Sequence, residues 1–458
     1  METTRFRSYA PDQLLLLPPD LRQWLPEGHL AYFLLDVIGE LDLSEIYDSY
    51  DGSRGGRPGF DPRLMLGLLF YGYCLGIASS RKIERATYES VPLRVLAANQ
   101  HPDHDTIAEF RRRHLGALSR LFIQILQLCQ KAGLLQLGHV ALDGTKMRAN
   151  ASKHKAMSYG RMKEKIAELE VQVQELLAEA EAVDAAEDVR YGKGRRGDEL
   201  PEELRFRQSR LEKIRQAKAA LEAQAQAEAQ RAKKPEEKTP GSNSGPGDGE
   251  GPPPAVKVEP ADKAQRNFTD PDSRIMQDGA TKSFEQCYNC QAAVDSRAQV
   301  IVAAQVTQHA NDKQQVKPLI EEIKKNLAGE KPRAVSADAG YYSEANVSYL
   351  EGEAIEPYVA TGRRKHGDKG KAPRGRIPSG ATLKERMARK LLTVKGKREY
   401  SKRKETVEPV FGQIKGGRGL RQFSLRGFVA VEGEWSLMCL THNLLKLFRS
   451  GWWPQAVA

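Results

Sequence analysis

Apolar side chains recur through the first 130 residues at three- and four-residue spacing, the period of helices with one face turned inward. Leu30, Phe33, Leu34, Val37, Ile38 and Leu41 form one stripe, and Leu64, Leu68 and Leu69 open a second after the breaker Pro62. Shorter helices are predicted over 80–88 and 91–97, and another starting near 106, where Thr106 and Glu109 have capping-box spacing. On that helix Ile107, Phe110 and His114 face inward, while Arg111, Arg112 and Arg113 fall on other faces. Several short helices ending in an arginine-bearing one suit a helix-turn-helix that contacts DNA through these arginines. The bland alternative is a helical bundle with a solvated basic face.

The pattern then changes. Residues 139–143, HVALD, are a short apolar run ending in an acid, and 144–152 are small and polar. Over 159–185 and 203–230 the stripes Ile166, Leu169, Val173, Leu176 and Leu204, Leu211, Ile214, Ala217, Leu221 predict two long helices. They read as an antiparallel coiled-coil hairpin turning near 192–197. Pro, Gly, Ser, Glu and Lys dominate the following stretch, which buries too little apolar surface to offset its ordering entropy and reads as a disordered linker.

Strand signals resume at 285–294 and 299–306, a hairpin across Asp295, Ser296 and Arg297. A helix is predicted over 312–327, a strand over 333–338 ending in Asp338, a helix over 342–350, a strand over 355–360, and basic helices over 398–449. This order gives an α/β fold with a mixed sheet. The expected division is a helical DNA-binding domain over 1–130, the start of the catalytic domain over 131–154, a helical insertion over 155–231, the linker over 232–262 and the rest of the catalytic domain over 263–450. The insertion would separate the first strand of one sheet from the second.

Charge sharpens the picture. The 458 residues carry a formal net charge of +11, which favours a polyanionic partner, nucleic acid being the commonest. Arg363, Arg364, Lys365, Lys369, Lys371, Arg374 and Arg376 concentrate part of it. Leu14 to Leu17, stopped by Pro18 and Pro19, is too short for a membrane span or a signal core. The five scattered cysteines do not suit a disulfide framework, and Cys287 and Cys290 lack the second ligand pair of a zinc site. A cytoplasmic protein with no membrane partner is expected.

Two acids share a context. Asp143 and Asp338 each end an apolar strand, and each is followed within two residues by a glycine, Gly144 or Gly340. Active groups of open α/β sheets gather beyond the carboxyl ends of strands. On neighbouring strands the two carboxylates would repel, a cost that a hard divalent cation relieves. A third acid completes such a centre, and Glu408 in VEPVFGQIK is the candidate, with Glu405, one turn away, as its rival. Taken singly, a strand-ending Asp is more often a turn former or cap. Asp295 and Asp312 compete for the aspartate roles, and Asp295 is better explained by its turn.

Several ordered blocks resemble the insertion-sequence transposases of the DDE class, nearest to the group numbered eleven-eighty-two. These are PGFDPRLMLGLLFYGY and HDTIAEFRRR within 58–113, ALDGTKMRANAS at 141–152, TDPDSRIM at 269–276, CYNCQAAVD at 287–295, SADAGYYSEAN at 336–346, and VEPVFGQIK followed by GLRQFSLRG at 419–427. The resemblance implies an RNase H-like catalytic domain. It also implies DNA hydrolysis and transesterification with two Mg²⁺ or Mn²⁺ ions on Asp143, Asp338 and Glu408. The partners would be double-stranded DNA (terminal inverted repeats and target) and a second copy of the chain in a synaptic homodimer. A Tyr–Arg–Glu–Lys signature maps to Tyr400, Arg403, Glu408 and Lys415, with Tyr400, Arg403 and Lys415 as DNA-binding residues around the glutamate. The gap from Arg403 to Glu408 is one residue longer than in the broader family, and Lys404 also fits the arginine's register. Pro409 places Glu408 at a helix start or kink. Rival functions are a nuclease that cuts without joining, a domesticated DNA-binding protein, and an assembly scaffold built on the coiled coil.

Overall fold

Val140–Arg148 (β1) and Ala334–Ala337 (β7) begin as fully buried apolar runs, the composition of strands covered on both faces. They pair in parallel, with Leu142 opposite Ala337. The computed structural model describes residues 23–50, 59–191, 202–233, 258–277, 282–362 and 375–454. The leucine run, the 192–197 turn, most of the predicted linker and the basic residues from Arg363 to Arg374 lie outside them. Packing divides the chain into two units, one of Met1–Thr145, Asn289–Leu425 and Val429–Ala458, the other of Lys146–Tyr288 and Arg426–Phe428.

Among the described residues, the first unit has seven helices ahead of its sheet: Leu30–Glu40 (α1), Ser44–Asp48 (α2), Pro62–Cys74 (α3), Ser80–Glu89 (α4), Val91–Leu96 (α5), His104–Arg113 (α6) and Leu115–Lys131 (α7). Pro62 opens α3 at a position whose N–H has no helical partner, and Asp61 caps it by accepting from Arg63 N. α6 is capped by Asp103, which accepts from Thr106 N, so the helix begins three residues earlier than the Thr106–Glu109 spacing predicts.

The sheet order in this unit is β6-β5-β1-β7-β8, with β5 being Phe284–Asp295, β6 Ile301–Thr307 and β8 Glu356–Val359. β5 and β6 form the predicted antiparallel hairpin, and β7 and β8 are parallel, so the sheet is mixed. Asp295 serves its turn, accepting from Arg297 N and Leu137 N. Val316–Asn326 (α10) packs on β6, Glu344–Gly352 (α11) on β8, and Val394–Phe411 (α13) on β7 and β8. Leu383–Lys390 (α12), closed by a Thr382–Glu385 capping box, has no counterpart in the predicted pattern.

Phe428–Arg449 (α14) is the core of this unit, with Trp435, Leu437, Met438 and Leu440 wholly buried. Asn443 bonds both ways to the backbone of Ile301, in the manner of an added strand residue. The buried Arg418 guanidinium donates to Tyr73 O, Thr441 Oγ1 and Met438 O. Arg418 O lies where a Cβ on Gly76 would stand, 1.8 Å away, and Gly76 has φ +80°, so glycine is required. The predicted boundary at 130 is therefore not a packing boundary: α1–α7 share one unit with the sheet.

In the second unit, Tyr159–Tyr191 (α8) and Glu202–Lys233 (α9) form an antiparallel pair. Leu169, Leu211, Ile214, Ala217 and Leu221 are buried between them, as the stripes predict. Arg215 pairs with Glu170, and the Tyr159 hydroxyl donates to Glu222. Strands Ala156–Ser158 (β2) and Gln265–Asn267 (β3) pair antiparallel and close the base of the hairpin. Arg274–Gln277 (β4) pairs with the first residues of β5.

Candidate active site

The parallel register sets the geometry. Leu142 lies opposite Ala337, so the next residues, Asp143 and Asp338, emerge side by side; Asp338 directly follows the last residue of β7, whereas Asp143 lies within β1, which runs on to Arg148 instead of ending at the acid as its apolar run predicts. Asp338 accepts from Gly340 N at 2.7 Å, capping a single 3-10 turn, and Asp143 accepts from Gly144 N at 2.9 Å. Both glycines of the motif are steric. A Cβ on Gly144 would stand 2.5 Å from Gln291 Nε2, and one on Gly340 would stand 2.9 Å from Asp338 Oδ1.

Arg403 joins two of the acids. Its Nη1 lies 2.9 Å from Asp143 Oδ2 and its Nη2 lies 3.6 Å from Glu408 Oε1. The structure thus brings Arg403, not Lys404, to the aspartates. Burial pulls the Arg403 guanidinium down, but Asp143, Tyr400, Asp338 and Glu408 together hold it above its ordinary value. The Asp143 carboxyl is pushed up to about 6, first by burial and then by Asp338 and Asp312, against the downward pull of Arg403. An acid this perturbed, beside two others, is a mark of a functional site.

Glu408 sits within α13 rather than at a helix start. Pro409 cannot donate to the carbonyl four residues back, that of Glu405, and Gln299 Nε2 takes this acceptor at 2.7 Å. The glutamate side chain that meets Arg403 is Glu408, not its rival Glu405. After Phe411 the helix widens into a π turn, Gly412–Gly417, a distortion frequent at functional sites. The turn carries Lys415, whose Nζ donates to Thr145 Oγ1 at 3.1 Å, two residues beyond Asp143. Tyr400 packs with Met387 and Leu391, next to Arg403 along α13, and burial raises its hydroxyl.

One residue weighed as a rival also arrives here. Asp312 was predicted to begin a helix, but α10 starts only at Val316. Its carboxylate instead accepts from Asn289 Nδ2 and Gln291 Nε2, each at 2.7 Å. The overlooked signal was the pair of amides two residues apart in CYNCQAAVD, on one face of an otherwise apolar strand.

The three N-terminal arginines separate. Arg111 is 4 % exposed, and its Nη1 donates to Tyr73 Oη and Ala78 O. Tyr73 donates in turn to the buried Glu434. Arg111 is therefore a structural cation inside the unit and is withdrawn from the DNA-binding set. Arg112 is exposed beside Glu109, and Arg113 lies over the Tyr50 ring at 4.9 Å while donating to Ser49 O.

Among the described residues, no three His, Cys, Asp or Glu side chains close into a metal cage. The donor chemistry nevertheless suits a hard cation: oxygen ligands only, two of them adjacent aspartates, with a guanidinium now supplying the balancing charge. All five cysteines are buried free thiols. No described helix is long and apolar enough to cross a membrane.

Residues 256–444 match a family model described as a Transposase DDE domain, and residues 19–113 match one described as a Transposase domain (DUF772). The first match contains Asp312, Asp338, Arg403, Glu408 and Lys415 and begins beyond Asp143. The second ends at Arg113. No curated protein and no solved structure matches the chain.

Proposed function

Because the chain belongs to the DDE family of insertion-sequence transposases, with its RNase H-like fold, we propose that it cuts and joins DNA at Asp143, Asp338 and Glu408. What carries this reading is the register that sets Asp143 beside Asp338, together with the Arg403 guanidinium, which reaches both Asp143 and Glu408. The substrates are the terminal inverted repeats of the element and its target DNA. The motif blocks favour the group numbered eleven-eighty-two, and two copies of the chain would pair the two ends. The α8–α9 hairpin reads as an insertion between sheet strands β1 and β5.

The family uses divalent metal ions, and Asp143, Asp338 and Glu408 would hold Mg²⁺ or Mn²⁺, two ions in all, supplying the Lewis acidity that polarises the scissile phosphate and activates the attacking hydroxyl. The remaining chemistry belongs to side chains. Arg403 neutralises Asp143 and Glu408 while the site is free of DNA, and a phosphate oxygen is a competing anion for the same fork. Lys415, held at Thr145, offers a second cation beside Asp143. No covalent protein–DNA link is required, since water and then a DNA 3′-hydroxyl are the nucleophiles. Tyr341, the tyrosine nearest Asp338 in the chain, has its hydroxyl committed to Gln291 Oε1. Arg112 and Arg113 remain as candidates for contact with the element ends.

The test is purified full-length protein with labelled element ends, target DNA and Mg²⁺. Cleaved and joined products are expected. Cleavage without joining would leave a nuclease of the same fold, and binding without cleavage would leave a DNA-binding protein.

A further inference from the structure

Asp312 lies in the turn ahead of α10, yet it does not cap that helix, whose N-cap position is Gln315. Its carboxylate points instead to Gly144 and Gly340, just beyond Asp143 and Asp338. A Cβ on Gly144 would stand 2.9 Å from Asp312 Oδ1, and one on Gly340 would stand 3.2 Å from Oδ2. The side chain thus lies against the backbone that follows each catalytic aspartate. Asn289 and Gln291, both fully buried, fix Oδ1 through their amide N–H groups. Gln291 Oε1 accepts from the Tyr341 hydroxyl, in the turn that Asp338 caps.

A second observation points to a ligand. Asn289 Oδ1 is buried with no hydrogen-bond donor and lies 3.1 Å from the Gly144 Cβ position, beside Asp312 Oδ1. Among the described residues Asp312 Oδ2 receives no hydrogen bond either. A buried acceptor without a donor is costly, and Asn289 Oδ1 is one, set among carboxylates that repel one another. A cation relieves both costs, whereas a residue needed only for the turn would leave the orphan oxygen unexplained.

We propose that Asp312 is a fourth acid of this site, a positioning residue whose fixed negative charge strengthens divalent-cation binding by Asp143 and Asp338. The inference rests on the function proposed above.

It is tested by titrating the full-length protein with Mn²⁺ alone, without DNA, and following free Mn²⁺ by electron paramagnetic resonance. Asp312→Asn is expected to weaken Mn²⁺ binding by about tenfold or more, as removal of one nearby unit charge requires. Its melting temperature without metal should not fall. Asp312→Glu should bind within about threefold of wild type. Asp312→Ser is measured alongside, so that the outcome does not hang on the folding of one variant. If Asp143→Asn loses Mn²⁺ while both Asp312→Asn and Asp312→Ser bind it as wild type does, Asp312 is only a turn residue and the function stands. If wild type fails to bind Mn²⁺, or Asp143→Asn binds it unchanged, the metal centre itself is wrong and the proposal falls with it.

Discussion

Asp143→Asn is expected to abolish strand cleavage and, at neutral pH without metal, to make the protein more stable. The Asp143 side chain is 18 % exposed, and its carboxyl is pushed up from 3.8 to about 6. At about 1.4 kcal/mol per pKa unit, ionising it inside the fold costs on the order of 3 kcal/mol. The asparagine never bears that cost and keeps the shape. An acid whose folded pKa is raised contributes stability that is fully present below its unfolded pKa and is lost as pH rises through the folded value. Wild type should therefore match the variant near pH 4, fall behind between pH 4 and 6, and trail by about 2–3 kcal/mol above pH 7. Differential scanning calorimetry in a chelator would read this as several degrees, at about 2–4 °C per kcal/mol. Added Mg²⁺ should raise the melting temperature of wild type and not that of the variant, because only wild type keeps the full ligand set. A variant less stable than wild type at pH 7.5, or a gap that ignores pH, would refute the claim that burial and neighbouring acids strain this carboxylate.

Asp338→Asn and Glu408→Gln should each eliminate cleavage while leaving binding to element ends near wild type in a mobility-shift assay. Undiminished cleavage by the Glu408→Gln protein would transfer the role to Glu405. Replacing Arg112 and Arg113 together by Ala should weaken end binding and flatten the plot of log affinity against log salt by up to about 2, as two phosphate contacts are lost. Arg111→Ala should instead cost on the order of 3 kcal/mol in urea unfolding, because Tyr73 and Glu434 lose their buried cation. An Arg111→Ala protein of normal stability but reduced salt slope would return that residue to the DNA.

Most of the element pattern was legible because it is local. The stripe of Leu30, Phe33, Leu34, Val37 and Ile38, the α8–α9 pair, the β5–β6 hairpin and the strand-ending Asp338 all follow from periodicity over short windows, whereas β1 runs on past Asp143 to Arg148. Where local signals were thin they misled. The three- and four-residue strands were found only where an apolar run marked them, as at β7 and β8, so β2, β3 and β4 were missed. Asp103 capped α6 in place of Thr106, and α10 began four residues later than predicted, freeing Asp312 for the site.

Periodicity says which side of an element is buried, but not against what. That Arg403 rather than Lys404 meets Asp143, 260 residues away, depends on how α13 lies over the sheet. The choice between Glu405 and Glu408 likewise depends on the helix seen in three dimensions, where Gln299 takes the carbonyl freed by Pro409. Helical spacing put Arg111 on an outer face, and the packing of α3 and α14 enclosed it beside Tyr73 and Glu434, which lie 361 residues apart in the chain. The chain's own order thus determined its elements and two of its acids, since hydrogen bonding and amphipathicity act between near neighbours. Their partners were decided by tertiary structure, because the pairing of charges distant in sequence is set only when the elements carrying them pack.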